Sequence, residues 1–233
     1  MASRVPGRSS SSPSVKIQQL VRQKRRRTGE EIKVVLADGT CYSIPMRVWE
    51  DDPFHEADEL DPDRWESILA GSRLIQCRSL AMSLLARAEH SRFLLRQKLL
   101  LRDADPDVAE TVLHELTESG ALSDDRYAAS WIRSRMRSHP EGRSHLVAGL
   151  RNRGIDPATA EDAVDRVLAE DSLSMLDGAR SYVERLTRRR HVPLEWVQEK
   201  LYRRGFSPPI VRRVIAELPA ESGVNDPNFD QCE

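Results

Sequence analysis

The sequence predicts an all-α protein of three tandem three-helix repeats that form an elongated curved stack, with a small N-terminal β-hairpin extension. The main observation is a stretch that occurs three times, beginning at Leu99, Leu150 and Leu201, so that both intervals are 51 residues. A fixed period of this length is typical of repeat architectures. The composition agrees, because 39% hydrophobic and 31% charged residues suit modest helical cores better than one large core.

Each copy of the stretch reads as a helix end, a tight turn and a helix start. Gly154 and Gly205 follow the arginine that ends the second helix in repeats 2 and 3, where glycine takes the left-handed conformation without strain. Repeat 1 has Asp103 at this position, so its turn is less clearly predicted. A polar N-cap and a proline then begin the next helix at Asp105–Pro106, Asp156–Pro157 and Ser207–Pro208.

The chain before the repeats changes composition twice. Residues 1–30 are serine-rich and basic, which predicts a disordered arm that either touches nucleic acid or stays solvated. Residues 31–48 contain two β-rich runs around Asp38–Gly39, a strong hairpin signal. Residues 49–72 form an acidic connector that can pair with the arm, and they include a short helix from Pro62 to Leu69 that Gly71 ends.

The repeats themselves are expected at 73–121, 122–170 and 171–218, followed by an acidic, disordered tail at 219–233. The offset of 51 residues also aligns the first helices of the repeats. One aligned position has a small residue in every repeat, which indicates close approach of helices: Cys77, Ala128 and Ala179. Another has a large residue, interpreted as part of the core rather than as a platform for stacking: Leu80, Trp131 and Tyr182.

No catalytic or ligand-binding motif accompanies this architecture. The six histidines form no pair at metal-ligand spacing, and the three cysteines are too far apart in sequence for a zinc site or disulfide framework. No apolar run reaches the length of a membrane span. The sequence therefore predicts a cytoplasmic protein that is not an enzyme and has no cofactor or metal.

Basic side chains at recurring positions are the remaining signal, and they point to phosphate or an acidic partner surface. An alternative is helix-end electrostatics, since a cation in a last turn contributes about 0.3–1 kcal/mol. A first group recurs at one repeat position or one turn before it: Arg102, Arg153, Arg204, Lys98 and Lys200. A second group surrounds the repeat 2 turn: Arg133, Arg135, Arg137 and Arg143. A third group ends the first helix of repeat 3: Arg188, Arg189 and Arg190.

Three stretches of the chain resemble a known family. Ala86–Ser91 with Leu95–Leu99, Gly120–Ala128 with Trp131–Arg135, and Leu150–Ile155 are similar to the RecX regulatory proteins. The resemblance extends over 73–218, is most specific in repeats 1 and 2, and leaves 1–72 unassigned.

This resemblance implies a modulator of the bacterial RecA recombinase. Such a protein binds along the RecA–DNA filament and inhibits ATPase, strand exchange and coprotease activity, which modulates recombination and the SOS response. It supplies no catalytic residues, so the basic groups become candidates for contact with RecA acids or DNA phosphate. The expected partners are the RecA filament and weakly bound single-stranded DNA, and the expected state is a monomer. Two alternatives stay open: a helical-repeat nucleic-acid-binding protein independent of RecA, and a solenoid scaffold for another partner.

Overall fold

A computed structural model describes residues 14–25, 29–170, 175–188 and 192–218. The chain divides into two compact units, the first with residues up to Ala88 and Leu95–Ala121, the second with Glu89–Leu94 and the chain from Leu122 onward. The described elements are β1 (Val15–Arg25), β2 (Gly29–Leu36), β3 (Cys41–Pro45), α1 (Met46–Asp51), β4 (Glu59–Leu60), α2 (Pro62–Leu85), α3 (Arg92–Leu100), α4 (Pro106–Glu118), α5 (Asp124–Ser138), α6 (Arg143–Arg151), α7 (Pro157–Glu170), α8 (Met175–Thr187), α9 (Leu194–Arg203) and α10 (Pro208–Glu217).

The first unit begins with an antiparallel sheet in the order β3-β2-β1-β4. The predicted hairpin is present as β2 and β3, but it belongs to this larger sheet. The expectation of a disordered arm is wrong for residues 15–25, which form β1. The physical reason is that β1 supplies an apolar residue, Ile17, which is 1% exposed and lies opposite Leu36 in the register. Residues 1–13 and 26–28 of the predicted arm lie outside the described residues.

The acidic connector contacts the basic β1. The Lys16 ammonium lies 3.6 Å from a Glu59 carboxylate oxygen, and the Leu20 amide donates to Glu56 at 2.8 Å. Glu59 also belongs to β4, which pairs with the start of β1. The pairing of arm and connector that the charges allowed therefore occurs at Lys16.

Helix α2 joins the sheet to the first repeat without a break. A short helix ending at Gly71–Ser72 was expected, and that prediction is wrong. Glycine in a helix interior costs only about 1 kcal/mol, and the two halves of α2 bury Trp65 in the sheet core and Ala81 in repeat 1. The Cβ position of Gly71 would lie 3.7 Å from Val48 of α1, so a small residue suits this contact.

The three-helix repeats are confirmed, with α3, α6 and α9 beginning 51 residues apart. Their turns share one backbone hydrogen bond, in which the amides of Ala104, Ile155 and Phe206 donate to Leu99, Leu150 and Leu201 at 3.2 Å in each case. Repeat 1 makes this turn without glycine, because Asp103 adopts φ 62°. The elongated curved stack stays a prediction, and the tail 219–233 lies outside the described residues. Of the helices described, none combines the length and apolar character needed to cross a membrane.

Candidate functional site

The C-terminal ends of α5 and α8 lie together in the second unit. The Arg185 guanidinium donates to the carbonyl oxygen of Ser138, the last residue of α5, at 2.8 Å. Arg137 directly precedes Ser138, and Arg188 follows Arg185 by one helical turn. Both arginines are exposed, and neither forms an ion pair with another residue of the described ranges. We call Arg137, Ser138, Arg185 and Arg188 the α5–α8 end.

A buried carboxylate lies close to this end. The Glu141 side chain is 8% exposed, accepts a hydrogen bond from Arg135 at 2.8 Å, and has an Arg204 nitrogen at 3.8 Å. The Nε atoms of both arginines are buried and have no hydrogen-bond partner among the described atoms. One carboxylate therefore serves two guanidinium groups, so this region retains net positive charge.

Aromatic rings partly stabilise the positive charge that Glu141 does not neutralise. Trp131 has the Arg153 guanidinium 4.7 Å from its ring centroid and that of Arg135 at 5.9 Å. Cations over an aromatic face are attracted by its negative charge distribution, most strongly where water is displaced. In repeat 3, the Arg204 guanidinium lies over the Tyr182 ring in the same way, 5.0 Å from the ring centroid. We call the whole series the arginine ladder: Arg153, Trp131, Arg135, Glu141, Arg204 and Tyr182.

Two of the predicted binding residues cap helix ends. Arg102 donates to the carbonyl of Lys98 at 2.9 Å, and Arg153 donates to the carbonyl of Gly149 at 2.7 Å. Each bond joins a cation to a carbonyl in the last turn of its helix, which the helix dipole favours. The helix-end interaction that the sequence left open as an alternative is therefore present at these two arginines, and their contact with a partner stays a prediction.

The other candidates are divided among different environments. Arg143 is held by two hydrogen bonds to Asp165, both 2.7 Å, and these bonds lower the pKa of Asp165. The Lys200 ammonium lies 5.1 Å from the centroid of the Trp196 ring. Arg133 and Lys98 are half-buried, and Arg189 and Arg190 lie outside the described residues.

Sequence reasoning missed Glu141 and the stacking role of the aromatic residues. Trp131 and Tyr182 are half-buried against the cores of repeats 2 and 3, so the interpretation as core residues describes only one face of each ring. A signal was present, because Trp131–Arg153 and Tyr182–Arg204 are both 22 residues apart. Repeat 1 has Leu80 before Arg102 at this spacing and therefore no ring to stack on. Within the described ranges, no group of histidine, cysteine and acidic side chains is placed to hold a metal ion.

Comparison with known proteins identifies the repeats. A family model described as the RecX first three-helix domain matches residues 77–116, and the model of the second domain matches 123–164. A regulatory protein RecX of Treponema pallidum (strain Nichols) is 35% identical over 154 residues, which cover 66% of this chain and 92% of the relative. A regulatory protein RecX of Halorhodospira halophila is 36% identical over 152 residues, 63% of this chain and 91% of the relative.

Solved structures share the fold. A crystal structure of regulatory protein RecX aligns with a TM-score of 0.64 and 23% identity, covering 87% of this chain and all of that one. RecX from Lactobacillus salivarius aligns with a TM-score of 0.55 and 25% identity, covering 64% and 97% of the two chains. The sequence matches cover both of the repeats that carry the resemblance, and the aligned relatives are covered over nine tenths of their length. The chain therefore belongs to the RecX family of regulatory proteins.

Proposed function

We propose that this protein binds the RecA–DNA filament and inhibits the ATPase, strand-exchange and coprotease activities of RecA. It thereby modulates recombination and the SOS response, acting as a cytoplasmic monomer. Family membership supports the regulatory role, and the α5–α8 end carries the proposed contact. Its two exposed arginines are available for carboxylates of RecA or for phosphates of DNA, which guanidinium groups bind in a bidentate manner.

The arginine ladder supports this role indirectly. Arg135 and Arg204 both approach Glu141, which links the first helix of repeat 2 to the end of α9 in repeat 3. A contact surface formed by side chains from two repeats needs such a link, because the spacing of its charges must match a partner. In this proposal the ladder positions the α5–α8 end rather than touching RecA.

The test is the single-stranded-DNA-dependent ATPase rate of RecA with this protein at substoichiometric and equimolar amounts. The wild-type protein is expected to lower the rate, and Arg137→Glu with Arg188→Glu is expected to weaken inhibition at least about tenfold in the required concentration, because a repulsive pair replaces an attractive one. Arg151→Glu makes the same kind of charge change at the exposed C-terminal end of α6 and serves as the control. Full inhibition by the double variant would refute the assignment of the α5–α8 end.

Direct nucleic-acid binding is the second candidate, favoured by the same exposed arginines. Phosphate contacts release counterions, so affinity for single-stranded DNA falls with salt by a slope of about 0.7 per contact on logarithmic axes. If the α5–α8 end binds phosphate, the double variant reduces that slope by about 1.4. Tight DNA binding without any effect on RecA would replace the first proposal by the second.

A further inference from the structure

Within the second unit, a chain segment that leads into a helix is held by the turn of a later repeat in two places. In repeat 2, the hydroxyl of Ser91 donates to the carbonyl of Arg153 at 2.7 Å, and the amide of Arg92 donates to Asp124 at 2.7 Å. Residues 89–94, which belong to the second unit, therefore occupy a groove between the first helix of repeat 2 and its turn.

Repeat 3 has the same arrangement 51 residues later. The amide of Gly142 donates to the carbonyl of Arg204 at 2.9 Å, and the hydroxyl of Ser144 donates to the carbonyl of Gly205 at 3.1 Å. Gly142 and Arg204 correspond to Ser91 and Arg153 in the repeat register. The occupant is again a chain segment that leads into the N-terminus of a short helix.

Both occupants carry a carboxylate just before that helix. Glu89 accepts a hydrogen bond from Arg126 at 3.0 Å, and Glu141 accepts one from Arg135 at 2.8 Å with Arg204 at 3.8 Å. Arg135 belongs to the same repeat as Glu141, so the arginines of the receiving repeats are Arg126 beside Glu89 and Arg204 beside Glu141. The two carboxylates lie three and two residues before their helices, and each groove thus brings one arginine of the receiving repeat to an acidic residue that precedes a helix start.

Repeat 1 has the corresponding groove, and no described residue occupies it. It has a volume of about 540 Å³ and lies between α2, at Arg73, Gln76 and Leu80, and the turn from Arg102 to Pro106. These positions correspond to Asp124, Tyr127, Trp131 and the turn from Arg153 to Pro157 in repeat 2. Arg102 is equivalent to Arg204, the arginine that approaches Glu141.

We infer that the repeat 1 groove is a docking site for a partner protein that presents an acidic residue directly before a helix N-terminus. Arg102, the equivalent of Arg204, supplies the complementary charge, because Arg73 is already paired with Glu66 at 2.9 Å. Asp105 also lines the groove, but its carboxylate accepts hydrogen bonds from the first amides of α4. The carbonyl of Arg102 is the acceptor that its equivalents offer to Ser91 and Gly142. This inference does not depend on the proposed action on RecA, because it follows from the two occupied grooves.

A second copy of this chain is a poorer occupant. The residue equivalent to Ser91 and Gly142 in repeat 3 is Pro193, the N-cap of α9. Proline has neither a backbone N–H nor a hydroxyl to donate to the carbonyl. The helix start at that end of the repeats therefore lacks the donor that both internal contacts use.

One residue limits how closely the occupant approaches. A Cβ at Gly154 would lie 2.2 Å from Phe93, and one at Gly205 would lie 2.7 Å from Ser144 and His145 side-chain atoms. The equivalent Asp103 has a Cβ and is held at φ 62°. The occupant of repeat 1 must therefore have a small residue where Phe93 lies, and Asp103→Gly should open the groove.

The test measures binding of a fluorescent peptide copying residues 138–152 to the full chain by anisotropy. This peptide contains Glu141 and has serine at the position of Phe93. We expect saturable binding, at least about tenfold weaker with Arg102→Glu, which corresponds to about 1.4 kcal/mol, and tighter with Asp103→Gly. The same peptide with Glu141→Gln should also bind more weakly.

Arg87→Glu is the matched control, since Arg87 is exposed in the same unit and does not line the groove. Equal weakening by Arg87→Glu and Arg102→Glu would show non-specific charge attraction and overturn the proposal. So would the absence of saturable binding to both the wild type and Asp103→Gly. Self-association of the chain that Arg102→Glu abolishes would place a second copy in the groove instead.

Discussion

Two glycines on a left-handed backbone, Gly154 and Gly120, are under different constraints at the residue scale. Their φ angles are 80° and 70°. A Cβ at Gly120 would meet nothing within 4 Å, whereas a Cβ at Gly154 would lie 2.2 Å from Phe93. Gly120 is therefore required only by its conformation, and Gly154 also by the docking of residues 89–94 on repeat 2.

Alanine substitution separates these two constraints. Gly120→Ala is expected to lower the free energy of unfolding by about 1–2 kcal/mol, the cost of a left-handed conformation. Gly154→Ala adds overpacking of about 1–3 kcal/mol, because Phe93 and the helix behind it must move. Denaturant unfolding of both variants measures the difference. If both variants lose the same free energy of unfolding, Phe93 moves aside without an energetic cost, and residues 89–94 are then not tightly packed on repeat 2.

At the scale of elements, the ion pair between Arg143 of α6 and Asp165 of α7 fixes two helices of one repeat. Its hydrogen bonds hold the pKa of Asp165 below its ordinary value. A carboxyl group whose pKa is lower in the folded state stabilises the fold above its unfolded pKa, about 3.9. That contribution disappears as the pH falls through the lower, folded pKa.

Asp165→Asn tests this linkage. Because the Asp165 side chain is 57% exposed, the variant is expected to lose only about 0–1 kcal/mol of unfolding free energy at pH 7. The loss should shrink as the pH is lowered below 4 and vanish once Asp165 is protonated in the folded state. Unfolding of both proteins across this pH range provides the measurement. A loss that is constant from pH 7 to pH 2 would assign the effect to altered packing instead of charge.

The elements themselves show which features sequence patterns predict. The repeat turns were predictable, since local chemistry at Gly154, Asp156 and Pro157 specifies them without tertiary partners. Strand β1 was not, because its basic and polar residues satisfy the pattern of a solvated arm, and Ile17 is buried only once β2 is in place. The uninterrupted α2 was missed for the same reason, as burial on both sides of Gly71 outweighs its local preference.

In the candidate site, too, local sequence predicted some features and tertiary contacts determined the others. Helix-end positions identified the cations, but their partners depend on contacts between repeats that are far apart in sequence. Glu141 lies six residues after Arg135 and 63 before Arg204, and a search for local motifs finds neither pairing. Arg137 and Arg188 stay predictions as contact residues, since their role depends on a partner.

At the scale of the whole molecule, the chain consists of two compact units with separate cores. Leu69 is buried in the core shared by the sheet and α2, and Leu146 is buried in the core of repeat 2. Truncation of such a residue to alanine costs about 2–5 kcal/mol, including the cavity it leaves. If each unit opens on its own, each truncation lowers the protection of its own unit only.

Hydrogen exchange followed by mass spectrometry of peptides tests this independence. Leu69→Ala is expected to accelerate exchange in the β2–β3 hairpin and in α4, while peptides from α5 to α7 keep wild-type rates. Leu146→Ala should produce the opposite distribution. Faster exchange in both units with either variant would show that the chain opens as one cooperative body. Separate responses would mean that the α5–α8 end and the repeat 1 groove can be disabled one at a time, because destabilising one unit leaves the other folded.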